Sequence, residues 1–87
     1  MKINKELVKR NVAGEVLLIP VGKSVFDYNG LMILNETGSF LWDLLPNTES
    51  EEDLVRQLLA EYEVSEEEAA ADVREFIQKT RELGIID

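Results

Sequence analysis

The hydrophobic period of this chain changes at Asn35, and that change limits the folds open to it. Before Asn35, short apolar runs alternate with turn residues: Leu7-Val8, Ala13-Gly14, Val16-Leu17-Leu18-Ile19, Gly22, Asn29-Gly30 and Leu31-Met32-Ile33-Leu34. Runs of this length, rich in β-branched residues and bounded by Gly or Asn-Gly, read as strands. Ala13-Gly14 suits a hairpin turn. Asn29-Gly30 suits one better, because both residues tolerate the positive φ of a type I′ turn. The second strand is apolar nearly throughout, as expected of a central strand covered on both faces, and Pro20 marks its end or a bulge.

After Asn35 the period is helical. Thr37, Phe40, Leu41, Leu44 and Leu45 fall on one face of a helix that stops at Pro46, which cannot continue it. Leu54, Val55, Leu58, Leu59 and Tyr62 form the stripe of a second helix, with Thr48 or Ser50 as its N-cap. The third helix is the best specified. Ser65-Glu66-Glu67-Glu68 is a capping box, Val64 and Ala69 occupy the hydrophobic-staple positions, and Gly84 is placed to end the helix. Its apolar stripe runs through Ala69, Val73, Phe76, Ile77, Thr80 and Leu83. The expected fold class is α+β: a three-stranded antiparallel sheet followed by three helices, winged helix-turn-helix-like, in a single domain over residues 1–87.

Composition narrows what such a domain can do. Cysteine and histidine are both absent, which removes disulfides, thiolate metal sites, Ser-His and Cys-His nucleophilic systems and the usual general base at neutral pH. The five glycines are scattered singly at turns, so no Gly-rich phosphate loop exists. Acidic runs at Glu49-Ser50-Glu51-Glu52-Asp53 and Glu66-Glu67-Glu68 lack the alternating ligand spacing of a calcium loop. They sit where helix starts favour carboxylates. No catalytic residue, metal site or cofactor is expected, and the chain is not read as an enzyme.

The net charge of −9 is unevenly spread. Residues 1–35 carry five Lys/Arg against three acids, whereas residues 36–87 carry four against fifteen. An acidic half repels phosphates and argues against nucleic acid. The N-terminus lacks the apolar run of a signal peptide, and the longest apolar stretches fall far short of the roughly 20 residues that span a bilayer. A cytoplasmic location, without membrane contact, is the expectation.

Leu18-Ile19-Pro20 and Ile33-Leu34-Asn35-Glu36-Thr37-Gly38 are followed by Leu41-Trp42-Asp43-Leu44-Leu45. Leu54, Leu58, Tyr62, Asp72-Val73, Phe76-Ile77 and Leu83-Gly84-Ile85-Ile86 continue the pattern to the C-terminus. Together these stretches resemble the PqqD-like family (coenzyme PQQ synthesis protein D), the precursor-peptide recognition domains of ribosomal peptide natural-product pathways. One departure is the connection Gly22–Asn29, which is long and carries its own apolar pair, Val25-Phe26. The resemblance implies a non-catalytic domain that binds a leader peptide as an added antiparallel strand along strand 3. The peptide's side chains would enter the groove between that strand and helix 3. It also implies a partner enzyme, typically a radical S-adenosylmethionine (SAM) enzyme. The end of the chain, one residue past Ile85-Ile86, is that expected of a separate rather than a fused form.

The residues themselves are compatible with that mechanism. Strand 3 is an edge strand if strand 2 is central, and Leu31-Met32-Ile33-Leu34 contains no Lys, Glu or Pro to guard it. An added peptide strand would satisfy the open backbone groups. The expected peptide-binding set is Leu31, Met32, Ile33, Leu34 and Asn35 on strand 3, with Ala69, Val73, Arg74, Phe76, Ile77 and Thr80 on helix 3. Met32 and Leu34 share one face of the strand and Leu31 and Ile33 the other, so at least one pair is plain core. Val73 and Phe76 are core unless the helix flanks the open edge. Arg74, with Gln78 and Arg81, is either solvated surface or a partner for acidic leader residues. Trp42 is either core or an enzyme contact. Two other readings stand beside leader binding. One is an acidic adaptor or weak homodimer using the same edge strand, in place of a monomer. The other is a winged-helix DNA-binding protein, which the acidic third helix disfavours.

Overall fold

The computed structural model describes residues 1–24 and 32–86 of the chain. The first hairpin follows from Ala13-Gly14. Both residues adopt positive φ (53° and 83°), and this two-residue turn sets Val12 opposite Glu15. Strands β1 (Leu7–Val12) and β2 (Glu15–Pro20) therefore pair antiparallel, with Leu7 opposite Pro20. Strand β3 (Met32–Leu34) pairs antiparallel with β2 through Val16–Leu34, Leu17–Ile33 and Leu18–Met32. The order β1-β2-β3 puts β2 in the centre and leaves β3 at the edge. Asn29-Gly30, Val25-Phe26 and Leu31 lie outside the described residues.

Helix α1 (Glu36–Leu44) begins directly after β3 because Asn35 caps it. The Gly38 N–H donates to Asn35 Oδ1 at 2.7 Å. Gly38 is buried, and a Cβ there would meet Asn35 Oδ1 at 3.1 Å and Leu34 Cδ2 at 3.4 Å. The Asn-x-x-Gly step thus closes the strand-to-helix corner tightly. A 3₁₀ turn (Leu45–Asn47) containing Pro46 ends α1, and the buried Thr48 donates its hydroxyl back to the Leu44 carbonyl.

Helix α2 (Glu51–Glu61) is capped by Ser50, the second of its two expected caps, which accepts from the Asp53 N–H. Helix α3 (Glu66–Glu82) is capped by Ser65, which accepts from Glu68. Gly84 at φ 74° ends α3, and the Ile85 N–H returns to the Thr80 carbonyl, a Schellman-type closure. Ile85 and Ile86 then bury themselves, with Ile86 bridged to Ile3 and the Asn4 N–H bonded to the Ile85 carbonyl. Leu83 is the exception to the α3 stripe: it follows the last helical residue and is exposed.

The core joins one sheet face to the three helices: Leu18, Met32 and Leu34 from the sheet, Leu41, Trp42 and Leu45 from α1 and its turn, Leu54 and Leu58 from α2, and Ala69, Val73, Phe76 and Ile77 from α3. Trp42 is a core residue. Among the described residues, no helix is long and apolar enough to cross a membrane. Because one side-chain oxygen holds the corner between β3 and α1, Asn35→Ala should lower stability by about 1 kcal/mol. Urea unfolding would register this as a lower midpoint at unchanged slope. An unchanged midpoint would contradict the role given to the cap.

Candidate functional site

The open side of β3 faces α3 across a groove of about 280 Å³. Met32, Ile33, Leu34 and Asn35 form one wall, Thr37, Gly38 and Leu41 of α1 line it, and Asp72, Glu75, Phe76 and Lys79 of α3 form the other wall. These α3 residues are spaced i, i+3, i+4 and i+7, which puts them on one helical face. Phe76 is only 7% exposed, whereas Asp72, Glu75 and Lys79 reach solvent. The groove is therefore apolar at depth and charged along its α3 lip.

The strand's two faces are distinct. Met32 and Leu34 are 4% and 5% exposed and belong to the core, while Ile33 is 59% exposed on the outer face, opposite Leu17. Among the described residues, β3 pairs with β2 alone, so one row of its backbone groups is directed towards the groove.

The sequence-derived candidates separate into three groups. Met32, Ile33, Leu34, Asn35 and Phe76 line the groove together. Ala69, Val73, Ile77 and Thr80 are buried beneath it as core, and the Thr80 hydroxyl is turned back onto the Phe76 and Ile77 carbonyls at 2.9 and 3.0 Å. Arg74 lies elsewhere, in a shallow depression with Glu51, Ile77, Gln78, Arg81 and Glu82. Leu31 is outside the described residues. Thr37, Gly38, Leu41, Asp72, Glu75 and Lys79 line the groove without having been singled out for it. The spacing of Asp72, Glu75, Phe76 and Lys79 was the available signal, masked by the ordinary reading of helical charges as solvated surface.

A second hollow, near 500 Å³, continues from the groove past Ile33, Leu34 and Asn35. It is lined by the hairpin turn at Gly14-Glu15 and by Phe40, Asp43 and Tyr62. The Phe40 and Tyr62 rings meet edge to face at 5.5 Å. Partial desolvation, then the charges of Glu36 and Glu61, push the Tyr62 hydroxyl above its ordinary pKa. Lys9 ties β1 to α1 by bridging Asp43 at 2.6 Å, with Ser39 also accepting from it. Among the described residues, no group of three or more Asp or Glu is placed to hold a metal ion.

Residues 15–86 match the family model of coenzyme PQQ synthesis protein D (PqqD). The chain belongs to the PqqD family. Two solved structures share the fold of this PqqD-family chain. One is TbiB1 in complex with the TbiA(beta) leader peptide, with a TM-score of 0.73 and 25% identity, covering 100% of this chain and 95% of that one. The other is a lasso peptide synthetase B1 complexed with the leader peptide, with a TM-score of 0.69 and 22% identity, covering 93% and 89%. No curated protein matches the chain.

Burial assigns opposite consequences to neighbouring residues of β3. Met32→Ala and Leu34→Ala should each cost about 2–5 kcal/mol, and Ile33→Thr less than about 0.5. Thermal or urea unfolding of the three variants checks this. An Ile33 variant as damaged as the other two would reverse the assignment of faces.

Proposed function

We propose that this chain is a non-catalytic recognition module that captures the leader segment of a ribosomally made precursor peptide. The leader joins the sheet as a fourth strand, antiparallel to β3, and lays alternate side chains into the groove against α3. The module then presents the peptide to a modifying enzyme, which the family resemblance suggests is a radical SAM enzyme.

The observation that carries this reading is a strand edge that, among the described residues, is unpaired and opens directly onto a groove apolar at depth. An edge free of Lys, Glu and Pro is a hazard unless a strand is meant to join it. The two structural neighbours support the ligand class, since both are described as complexes with leader peptides. Magnitudes permit it as well. Burying about 300 Å² of apolar surface is worth roughly 7 kcal/mol before association costs. Several backbone hydrogen bonds at about 1 kcal/mol each would then bring the net near the roughly −8 kcal/mol of micromolar binding. The proposed contact set is Met32, Ile33, Leu34, Asn35, Thr37, Gly38, Leu41, Asp72, Glu75, Phe76 and Lys79, with Leu31 proposed from its place in the sequence alone. Ala69, Val73, Ile77 and Thr80 act beneath the groove by holding α3 in place.

Titrating the isotope-labelled protein with a synthetic leader from a neighbouring precursor gene tests the proposal. Saturable amide shifts should concentrate on Met32–Asn35 and on the Asp72–Lys79 face. Absence of shifts with that leader at several hundred micromolar would end the leader-binding reading. Gel filtration separates the alternative: a homodimer through β3 predicts a dimer that the peptide dissociates, whereas the module predicts a monomer with or without peptide.

A further inference from the structure

The α3 lip of the groove carries an ordered set of charges. Asp72 and Glu75 come first along the helix and Lys79 follows, all three exposed on the groove wall. Glu75 and Lys79 are four apart, a spacing that commonly yields an ion pair. Yet among the described residues none of the three has an ion-pair partner within 4.0 Å. The lip therefore offers an unneutralised acidic pair and an unneutralised cation to whatever enters the groove.

The direction of α3 relative to β3 can be read from its anchored end. Ile86 is bridged to Ile3, and the Asn4 N–H donates to the Ile85 carbonyl at 2.7 Å. The C-terminal end of α3 is thus fastened where the chain enters β1. In the sheet, Met32 lies nearer that end, paired with Leu18, while Leu34 pairs with Val16 next to the hairpin turn. α3 accordingly advances from the Leu34 end towards the Met32 end, opposite in sense to β3. A strand added antiparallel to β3 advances in the same sense as α3, meeting Asp72 and Glu75 first and Lys79 later.

We infer that the captured peptide carries a basic residue facing Asp72 and Glu75 and, two positions nearer its C-terminus, an acidic residue facing Lys79. The inference rests on the strand-addition reading above and specifies its ligand. Lys79 lies about 6 Å beyond Glu75 and about 10 Å beyond Asp72 at 1.5 Å of rise per residue. Residues two apart on one face of an extended strand are separated by about 6.7 Å. Side-chain length covers the remainder. Exposed pairs of this kind contribute little each, but they set register and reject the reversed order.

A phage-displayed library of random decapeptides, panned on the wild type and on the triple variant Asp72→Lys/Glu75→Lys/Lys79→Glu, tests this. Wild-type selections should enrich Lys or Arg two positions ahead of Asp or Glu, and the triple variant should enrich the reverse order. A synthetic wild-type-selected peptide should bind the triple variant about tenfold more weakly, and its isomer with the two charges exchanged should reverse that preference. Should the triple variant fail to fold by circular dichroism, Lys79→Glu alone serves, with loss of the acidic preference as the expected result. The same charge order on both proteins, or the opposite order on the wild type, overturns the inference. Selected peptides that shift the Ile33–Asn35 amides without any charge order overturn it while leaving strand addition standing. Selected peptides that leave those amides unmoved, or no enrichment at all, overturn both.

Discussion

Among the described residues, three residue pairs join β2 to β3, and the groove depends on them. Val16–Leu34, Leu17–Ile33 and Leu18–Met32 turn Met32 and Leu34 into the core and keep the far side of β3 open. Pairing with β2 is not all that positions the described part of β3. The Asn35 cap and the close packing of Gly38 against Leu34 contribute, by fastening the strand to the first turn of α1. The opposite wall is held as well, because Val73, Ile77 and Thr80 are sunk in the core and the turn at Gly84 brings the buried Ile85 and Ile86 against Asn4 and Ile3.

A groove whose walls are already packed reduces the cost of binding, since less of the protein has to be ordered when the peptide enters. In this proposal the chemistry belongs to the partner enzyme, and selectivity comes from alternate side chains meeting Phe76, Leu41 and the charged lip of α3.

Much of this fold was legible in the residues. Ala13-Gly14 specified the hairpin, Ser50 and Ser65 specified two helix starts, and Gly84 specified the last stop, because turns and caps are local and their chemistry is read locally. The groove was legible only in part. A hydrophobic stripe reports the helix face that packs in the core, and for α3 that face is Ala69, Val73, Phe76, Ile77 and Thr80. A helix turns about 100° per residue, so the flank facing β3 holds Asp72, Glu75 and Lys79 instead. Phe76 lies at the boundary and serves both. Those charges look like ordinary solvated surface until the tertiary structure sets a free strand edge opposite them. The inward face of β3 was undecidable for a related reason: all four residues of Leu31-Met32-Ile33-Leu34 are apolar, so alternation carried no sign.

Intermolecular nuclear Overhauser effects (NOEs) between an unlabelled leader peptide and the isotope-labelled protein test the central claim most directly. Strand addition predicts close backbone contacts between the peptide and Met32–Leu34 in an antiparallel pattern, accompanied by side-chain contacts to Phe76 and Leu41. A peptide that binds as a helix, or whose contacts fall on α2 and the Arg74 side of α3 with none to the β3 backbone, would contradict it.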